Sequence, residues 1–339
     1  MSNDDRHNHQ ESHTAPIRWG ILGCGDVAEK KSGPALYQAE GSELVAVMRR
    51  DREKAEDFAR RHGAKRAYST VEELLADSEV DAIYIATPPH LHRDQTIAAA
   101  QAGKRVLVEK PMARNVAECE EMIAACREAG VSLHVAYYRR FYPKFVETKR
   151  LLESGEIGVV LGARLLMCSR SAANGWRVDP AISGGGHFLD VGSHRLDMLL
   201  YLLGDTAEAS GFSENRIGHH PAENDVVLAL RMASGAVVSA GFHYHTAPTR
   251  DVLEIYGAEG TLTFDPFDGT DFTIQRGKTE PRTCSYPIPT PVHLPFIQAL
   301  VDVYRGSEIP HVTGDEGIKT TRIMEAALGN PGKVAGVSV

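Results

Sequence analysis

A lysine at the end of a buried strand is the first residue of this chain that could do chemistry. Val106-Leu107-Val108-Glu109-Lys110-Pro111 reads as a strand covered on both faces and stopped by proline, which cannot continue a ladder. Glu109 and Lys110 are thereby delivered to the carboxyl end, the edge where open α/β sheets bind ligands. Lys110 is thus a candidate for contacting both cofactor and substrate. A second group follows the run Gly184-Gly185-Gly186. On a helix, Asp190, His194, Asp197 and Tyr201 stand four, three and four residues apart and share one narrow polar stripe. Leucines 196, 199, 200, 202 and 203 cover most of the remaining surface. Such a helix is buried, so the stripe requires partners or a water-filled cleft.

The elements that must position these groups begin at Ile17-Arg18-Trp19-Gly20-Ile21-Leu22, a predicted strand. Gly23-Cys24-Gly25-Asp26-Val27-Ala28 then opens a helix predicted to run towards Ala39. In that context G-x-G-x-x-A binds a dinucleotide: Gly23 for the turn, Gly25 for approach to the diphosphate, Ala28 for close packing, with Asp26 and Val27 at the helix N-terminus. Strands at 44–48, 66–68, 82–86, 105–108 and 132–136 alternate with helices at 53–61, 71–76, 93–102 and 117–129, which predicts a doubly wound parallel sheet of the Rossmann type. Thr87 and Pro88 follow the fourth strand and should line the cofactor crevice, where His92 reads as a structural histidine. At the end of the second strand, Met48-Arg49-Arg50-Asp51 favours NADP(H) through Arg49 and Arg50, with NAD(H) as the alternative.

Beyond Tyr137 the pattern changes. A helix at 143–153 is followed by seven predicted strands of alternating polarity between residues 159 and 276. The expected fold class is therefore α/β, a Rossmann domain plus a C-terminal α+β domain with a large, mostly antiparallel open sheet. The expected organisation is a disordered tail over 1–15, the dinucleotide domain over 16–136, and a substrate-binding and oligomerisation domain over 137–339.

Composition narrows the partners. Net charge is -8 over 339 residues, without a basic run able to track a phosphate backbone, so nucleic acid is not an expected partner. The tail has no apolar core and the chain no predicted membrane span. Its histidines 7, 9 and 13 are not read as a metal site. Cysteines 24, 119, 126, 168 and 284 are odd in number and lack CxxC spacing, which fits a reducing cytoplasm.

Taken in order, Ile21 to Ala28, Glu109-Lys110-Pro111, the glycine run leading to Asp190 and His194, and Glu254-Ile-Tyr-Gly-Ala-Glu-Gly-Thr-Leu262 resemble the glucose-fructose oxidoreductase / inositol dehydrogenase (Gfo/Idh/MocA) family over about residues 16 to 330. The resemblance implies a homodimer or homotetramer built on the open sheet. It also implies hydride transfer between a nicotinamide and a hydroxyl or carbonyl of a sugar, cyclitol or related polyol. It assigns Lys110 to the reacting oxygen, with Asp190 and His194 as partners. Removing hydride from an alcohol also releases a proton, and a histidine with a pKa of about 6.5 suits a general base near neutrality. Asp190 could orient that imidazole or bind a neighbouring hydroxyl, and Glu109 lies beside the cofactor. Tyr138 and Arg140 after the sixth strand, and Trp176 and Arg177 before the glycine run, are candidate substrate contacts, since tryptophan stacks on sugars and arginine bonds hydroxyls. Two other functions keep the same fold: NAD-dependent redox-assisted glycoside hydrolysis, and a non-catalytic cofactor-binding sensor.

Overall fold

The computed structural model describes residues 15–170, 174–308 and 311–329. All but the last residue of the expected tail, and histidines 7, 9 and 13, lie outside the described residues. The first half runs β1 (Ile17–Leu22), α1 (Gly33–Gln38), β2 (Ser42–Met48), α2 (Arg52–His62), β3 (Arg66–Tyr68), α3 (Val71–Leu75), β4 (Ala82–Ile85), α4 (His92–Gln101), β5 (Arg105–Val108), α5 (Val116–Glu128) and β6 (Leu133–Val135). Its strands form one sheet in the order β3-β2-β1-β4-β5-β6, and every pair is parallel. Both faces are dry, as the apolar runs require. Ile21, Tyr84 and Leu107 enter one core, and Ile83, Ile85, Val106 and Val108 another. The helix expected to run unbroken from the glycine turn instead carries a π-turn at Ala28–Ser32 just before Pro34. Proline has no N–H to close an ordinary helical bond, and a wider turn accommodates the break.

The second half contains α6 (Pro143–Glu153), β7 (Val160–Ser169), α7 (Pro180–Ser183), α8 (Ser193–Leu203), β8 (Thr206–Glu214), β9 (Asp225–Met232), β10 (Val237–Tyr244), β11 (Arg250–Gly257), β12 (Gly260–Phe264), β13 (Asp271–Arg276), β14 (Arg282–Ser285), α9 (Leu294–Tyr304) and α10 (Gly314–Leu328). Eight strands form a sheet in the order β14-β13-β12-β11-β7-β10-β9-β8. It is antiparallel except where β7 runs parallel to β10. The eighth strand, β14, escapes the alternation rule because its residues Arg-Thr-Cys-Ser are polar and pair only at an edge. Helices α6, α8 and α10 pack on one face. On the other, Phe212, Val227, Gly241, Leu166 and Val252 form one cross-strand row, with Phe212 67% and Val227 50% exposed.

The segment leading into α10 returns to the first sheet. The Val135 amide donates to the Val312 carbonyl at 2.9 Å, and a Cβ on Gly317 would stand 2.5 Å from Val135 Cγ2. Here His134 meets His311 edge to face at 4.8 Å. Burial lowers the pKa of His134 to about 4 and that of His311 to about 3. The unfolded chain therefore takes up these protons first. Their stabilising effect is complete above about pH 6.5 and declines as pH falls towards the folded values. At pH 5 the loss is about 2 kcal/mol for each imidazole. His134→Gln should accordingly show a smaller fall in Tm between pH 7.5 and 5 than the parent; an equal fall would refute the assignment.

Candidate active site

Two cavities meet along the carboxyl edge of the parallel sheet, sharing Ala86, Thr87 and Pro88. The first, of about 680 Å³, is lined by Gly23, Gly25, Arg49, Arg50, Asp51, Lys54, Ser69 and Thr70. It is shaped by the glycine turn. Gly23 has φ +87°, and a Cβ there would stand 2.7 Å from Thr87 Cγ2, whereas a Cβ on Gly25 would meet nothing nearer than Gly23 O at 3.9 Å. The turn thus needs glycine at its first position and leaves open space over its second, before a helix whose first-turn N–H groups lack helical acceptors. That combination fits a dinucleotide diphosphate. Arg49 donates to the Cys24 carbonyl at 3.3 Å, and Arg50 is exposed. Asp51 is otherwise engaged: it caps α2 through the Lys54 amide at 3.2 Å and pairs with Lys54 Nζ at 2.6 Å.

The second cavity, of about 370 Å³, holds Asp26, Val27, Lys31, His92, Glu109, Lys110, Tyr138, Trp176, Arg177, Asp190, His194, Phe267 and His293 among its lining. Lys110 arrives on the end of β5 and reaches across to the second half of the chain. Its Nζ donates to Asp190 Oδ1 at 2.8 Å and to the Asp190 carbonyl at 3.0 Å. Burial alone would lower the lysine pKa, but the Asp190 and Glu109 charges outweigh it and the net shift is upward. For Asp190, burial acts upward, yet Lys110 and Arg177 bring its pKa to about 2. Arg177 Nε donates to Asp190 Oδ2 at 3.1 Å, and its guanidinium lies 4.5 Å over the Trp176 ring. Glu109 accepts from the Tyr84 hydroxyl at 2.5 Å; burial, the largest influence, raises its pKa.

Asp190 lies in a π-turn, Phe188–Gly192, and His194 in the first turn of α8. The aspartate therefore binds Lys110 rather than orienting the imidazole. His194 packs against Tyr138 at 5.5 Å and Phe267 at 5.4 Å between ring centroids. It is 3% exposed. Burial first, then the charges of Lys110, Arg139, Arg195 and Lys31, push its pKa well below the ordinary value, so its ring is neutral at neutral pH.

The polar stripe divides. Asp190 and His194 face the cavity, but Asp197, 1% exposed, receives Arg140 Nη2 at 2.6 Å and Nε at 3.0 Å. Arg140 also lies 5.7 Å from the Tyr201 ring. Among the described residues Arg140 does not line the cavity, contrary to the expectation that it contacts substrate. It sits with Tyr138 in a 3-10 turn, Tyr138–Phe141, where successive side chains diverge, and the buried carboxylate claims it. His92 lines the cavity while bonding structure: its Nε2 lies 2.8 Å from the Thr87 carbonyl and its Nδ1 3.1 Å from that of Pro111. It ties the two loops that make the crevice. Trp176 and Arg177 occupy another 3-10 turn, Gly175–Val178.

Sequence reasoning missed several lining residues, among them Lys31, Phe267 and His293. Lys31 extends from the helix after the glycine turn. Phe267, between β12 and β13, is held between the guanidinium groups of Arg139 at 3.4 Å and Arg195 at 4.2 Å. Its loop is fixed by Lys144, whose Nζ donates to the Asp265 carbonyl at 2.7 Å and to that of Gly269. His293 precedes α9. Nothing local in the sequence signals the last two, because distant elements place them.

Comparison with known proteins gives the same outline. Residues 17–137 match the family model described as an oxidoreductase family with an NAD-binding Rossmann fold, and residues 145–263 match the GFO/IDH/MocA C-terminal domain. The chain is 34% identical to Oxidoreductase P35 of Formosa agariphila, over 92% of this chain and 98% of that protein. It is 30% identical to 1,5-anhydro-D-fructose reductase of Ensifer adhaerens, over 89% and 92%. Among solved structures, aldose-aldose oxidoreductase of Caulobacter crescentus, complexed with glycerol, superposes with a TM-score of 0.84 at 29% identity, over 92% of this chain and 96% of that one.

Proposed function

The chain belongs to the GFO/IDH/MocA family of oxidoreductases, and from that premise we propose that it works through Lys110, Asp190 and His194, with NADP(H) preferred. It is an NAD(P)-dependent oxidoreductase acting between a nicotinamide and a hydroxyl or carbonyl of a sugar, cyclitol or related polyol. The observation carrying the residue assignment is the position of Lys110: a charged lysine held by Asp190 in the same cavity as a neutral histidine. That cavity adjoins the one shaped by the glycine turn. The bound nicotinamide supplies the hydride acceptor or donor. Lys110 stabilises negative charge on the reacting oxygen, and His194 takes or returns its proton. Tyr138, Trp176 and Arg177 contact the sugar. The near-ultraviolet absorbance of reduced nicotinamide, followed with NADP and NAD against cyclitols, aldoses and glycosides, tests this reading. Turnover that disappears in Lys110→Ala supports it; a folded, cofactor-binding protein that oxidises no alcohol and reduces no keto-sugar overturns it in favour of redox-assisted hydrolysis or a sensor.

The NADP preference rests on Arg49 and Arg50 at the wall of the first cavity, and on Asp51 being bound to Lys54 and to its own helix. A charge-assisted bond to a phosphate contributes about 1.5–3 kcal/mol. The Arg49→Ala/Arg50→Ala double variant should therefore raise KM for NADP by roughly 10–100-fold and change that for NAD little. Equal losses with both cofactors would remove the preference. The open sheet face around Phe212 and Val227 is the surface on which a homodimer would close; a monomeric mass by light scattering would refute that part of the reading.

A further inference from the structure

We propose that His293 is a second imidazole of the substrate site and that it holds a hydroxyl of the sugar other than the one that reacts. The inference rests on the oxidoreductase reading above and adds a residue that decides which polyols are accepted.

His293 is 1% exposed and lines the cavity with Lys31, Lys110 and His194. Its ring lies 3.9 Å from that of Tyr138, and Tyr138 touches His194 at 5.5 Å. The two histidines thus flank one tyrosine at the wall of one cavity. Neither His293 nitrogen has a hydrogen-bond partner among the described residues, and both are buried. Leaving a buried polar group unmatched is costly to folding. A phenylalanine would pack on Tyr138 without that cost, so packing does not account for the imidazole.

The ring's charge state selects its partner. Burial first, then Lys31, Arg139 and Lys110, hold His293 far below the ordinary histidine pKa. A neutral imidazole offers one N–H and one acceptor nitrogen. A hydroxyl likewise donates and accepts, whereas a carboxylate or phosphate group only accepts. The site therefore matches a hydroxyl, and a substrate lacking that hydroxyl would leave the histidine unmatched.

The test uses the full-length protein with NADP(H), against D-glucose, D-xylose, myo-inositol and 1,5-anhydro-D-glucitol together with monodeoxy analogues of the best of them. His293→Phe keeps a planar ring on Tyr138 and removes both nitrogens; His293→Asn restores a donor and an acceptor. The expected result is a fall in kcat/KM of roughly 10–100-fold for the fully hydroxylated sugar in His293→Phe, and partial recovery in His293→Asn. One monodeoxy analogue, poor with the parent, should be affected by less than about threefold, because residue and hydroxyl form one interaction. A uniform loss across the sugar and all its analogues, or no loss, overturns the assignment. Quenching of bound NADPH fluorescence by the same sugars reads binding without turnover. Binding without turnover would defeat the oxidoreductase reading while leaving the comparison between parent and variants to decide His293. If none of the panel binds or turns over, the inference falls.

Discussion

Lys110→Met should lower kcat/KM by roughly 10³-fold while leaving the Kd for NADP within a few-fold of the parent, since the interaction it loses with the reacting oxygen forms as charge develops. The lysine ammonium has three N–H donors. Two are used by Asp190, at 2.8 Å on Oδ1 and 3.0 Å on the backbone carbonyl, leaving one for the reacting oxygen. Asp190 also keeps the ammonium charged: its own pKa of about 2 means that it remains ionised at any working pH. A buried lysine without that partner would lose charge to desolvation. Asp190→Asn should consequently reduce turnover less than Lys110→Met does, and make the remaining activity depend on lysine protonation. Lys110→Arg should not restore the parent rate, because a planar fork cannot occupy the site of a compact ammonium. Full turnover in a folded Lys110→Met protein would remove the lysine from the chemistry.

How far this site could be read from sequence depends on whether each residue is placed by its own segment or by a remote one. Lys110 was legible because a strand covered on both faces is written as an uninterrupted apolar run, and Pro111 ends it. The glycine turn was legible for a similar reason. Its backbone needs a positive φ at Gly23 and free space at Gly25, and both needs restrict residue type directly. Alternation revealed the strands of the second sheet whose one face packs on helices, but not β14, whose polar residues carry no such pattern. Helical spacing placed Asp190, His194, Asp197 and Tyr201 on one face, yet the π-turn and the pull of Arg140 divide them between the cavity and a buried ion pair. Phe267 and His293 were invisible. One is carried by a strand connection fixed by Arg139 and Lys144, the other by the residue before α9, and both reach the cavity only through tertiary packing. Arg139 and Arg140 are adjacent and identical in type. Type did not reveal that one guanidinium would meet Asp197 and the other the Phe267 ring.

His194→Asn should reduce turnover by 10²- to 10⁴-fold, the range associated with a positioned proton-transfer group, and the pH profile should identify the group lost. In alcohol oxidation the active form of His194 is neutral. An imidazole near its ordinary pKa would make kcat/KM fall below about pH 6.5. Burial and the surrounding positive charges push His194 well below that value, so its acid limb should be displaced to lower pH and activity should be level from about pH 6.5 upward. The displacement has a cost, since a less basic imidazole pulls more weakly on a proton. Lys110 offsets it by stabilising the oxygen as negative charge appears, which makes the hydroxyl proton easier to remove. The two residues are thus coupled: removing Lys110 should make the rate more sensitive to the base that remains, and the double variant should lose less than the product of the single losses. A break near pH 6.5 in the parent, or unchanged turnover in folded His194→Ala, would show that another group carries the proton.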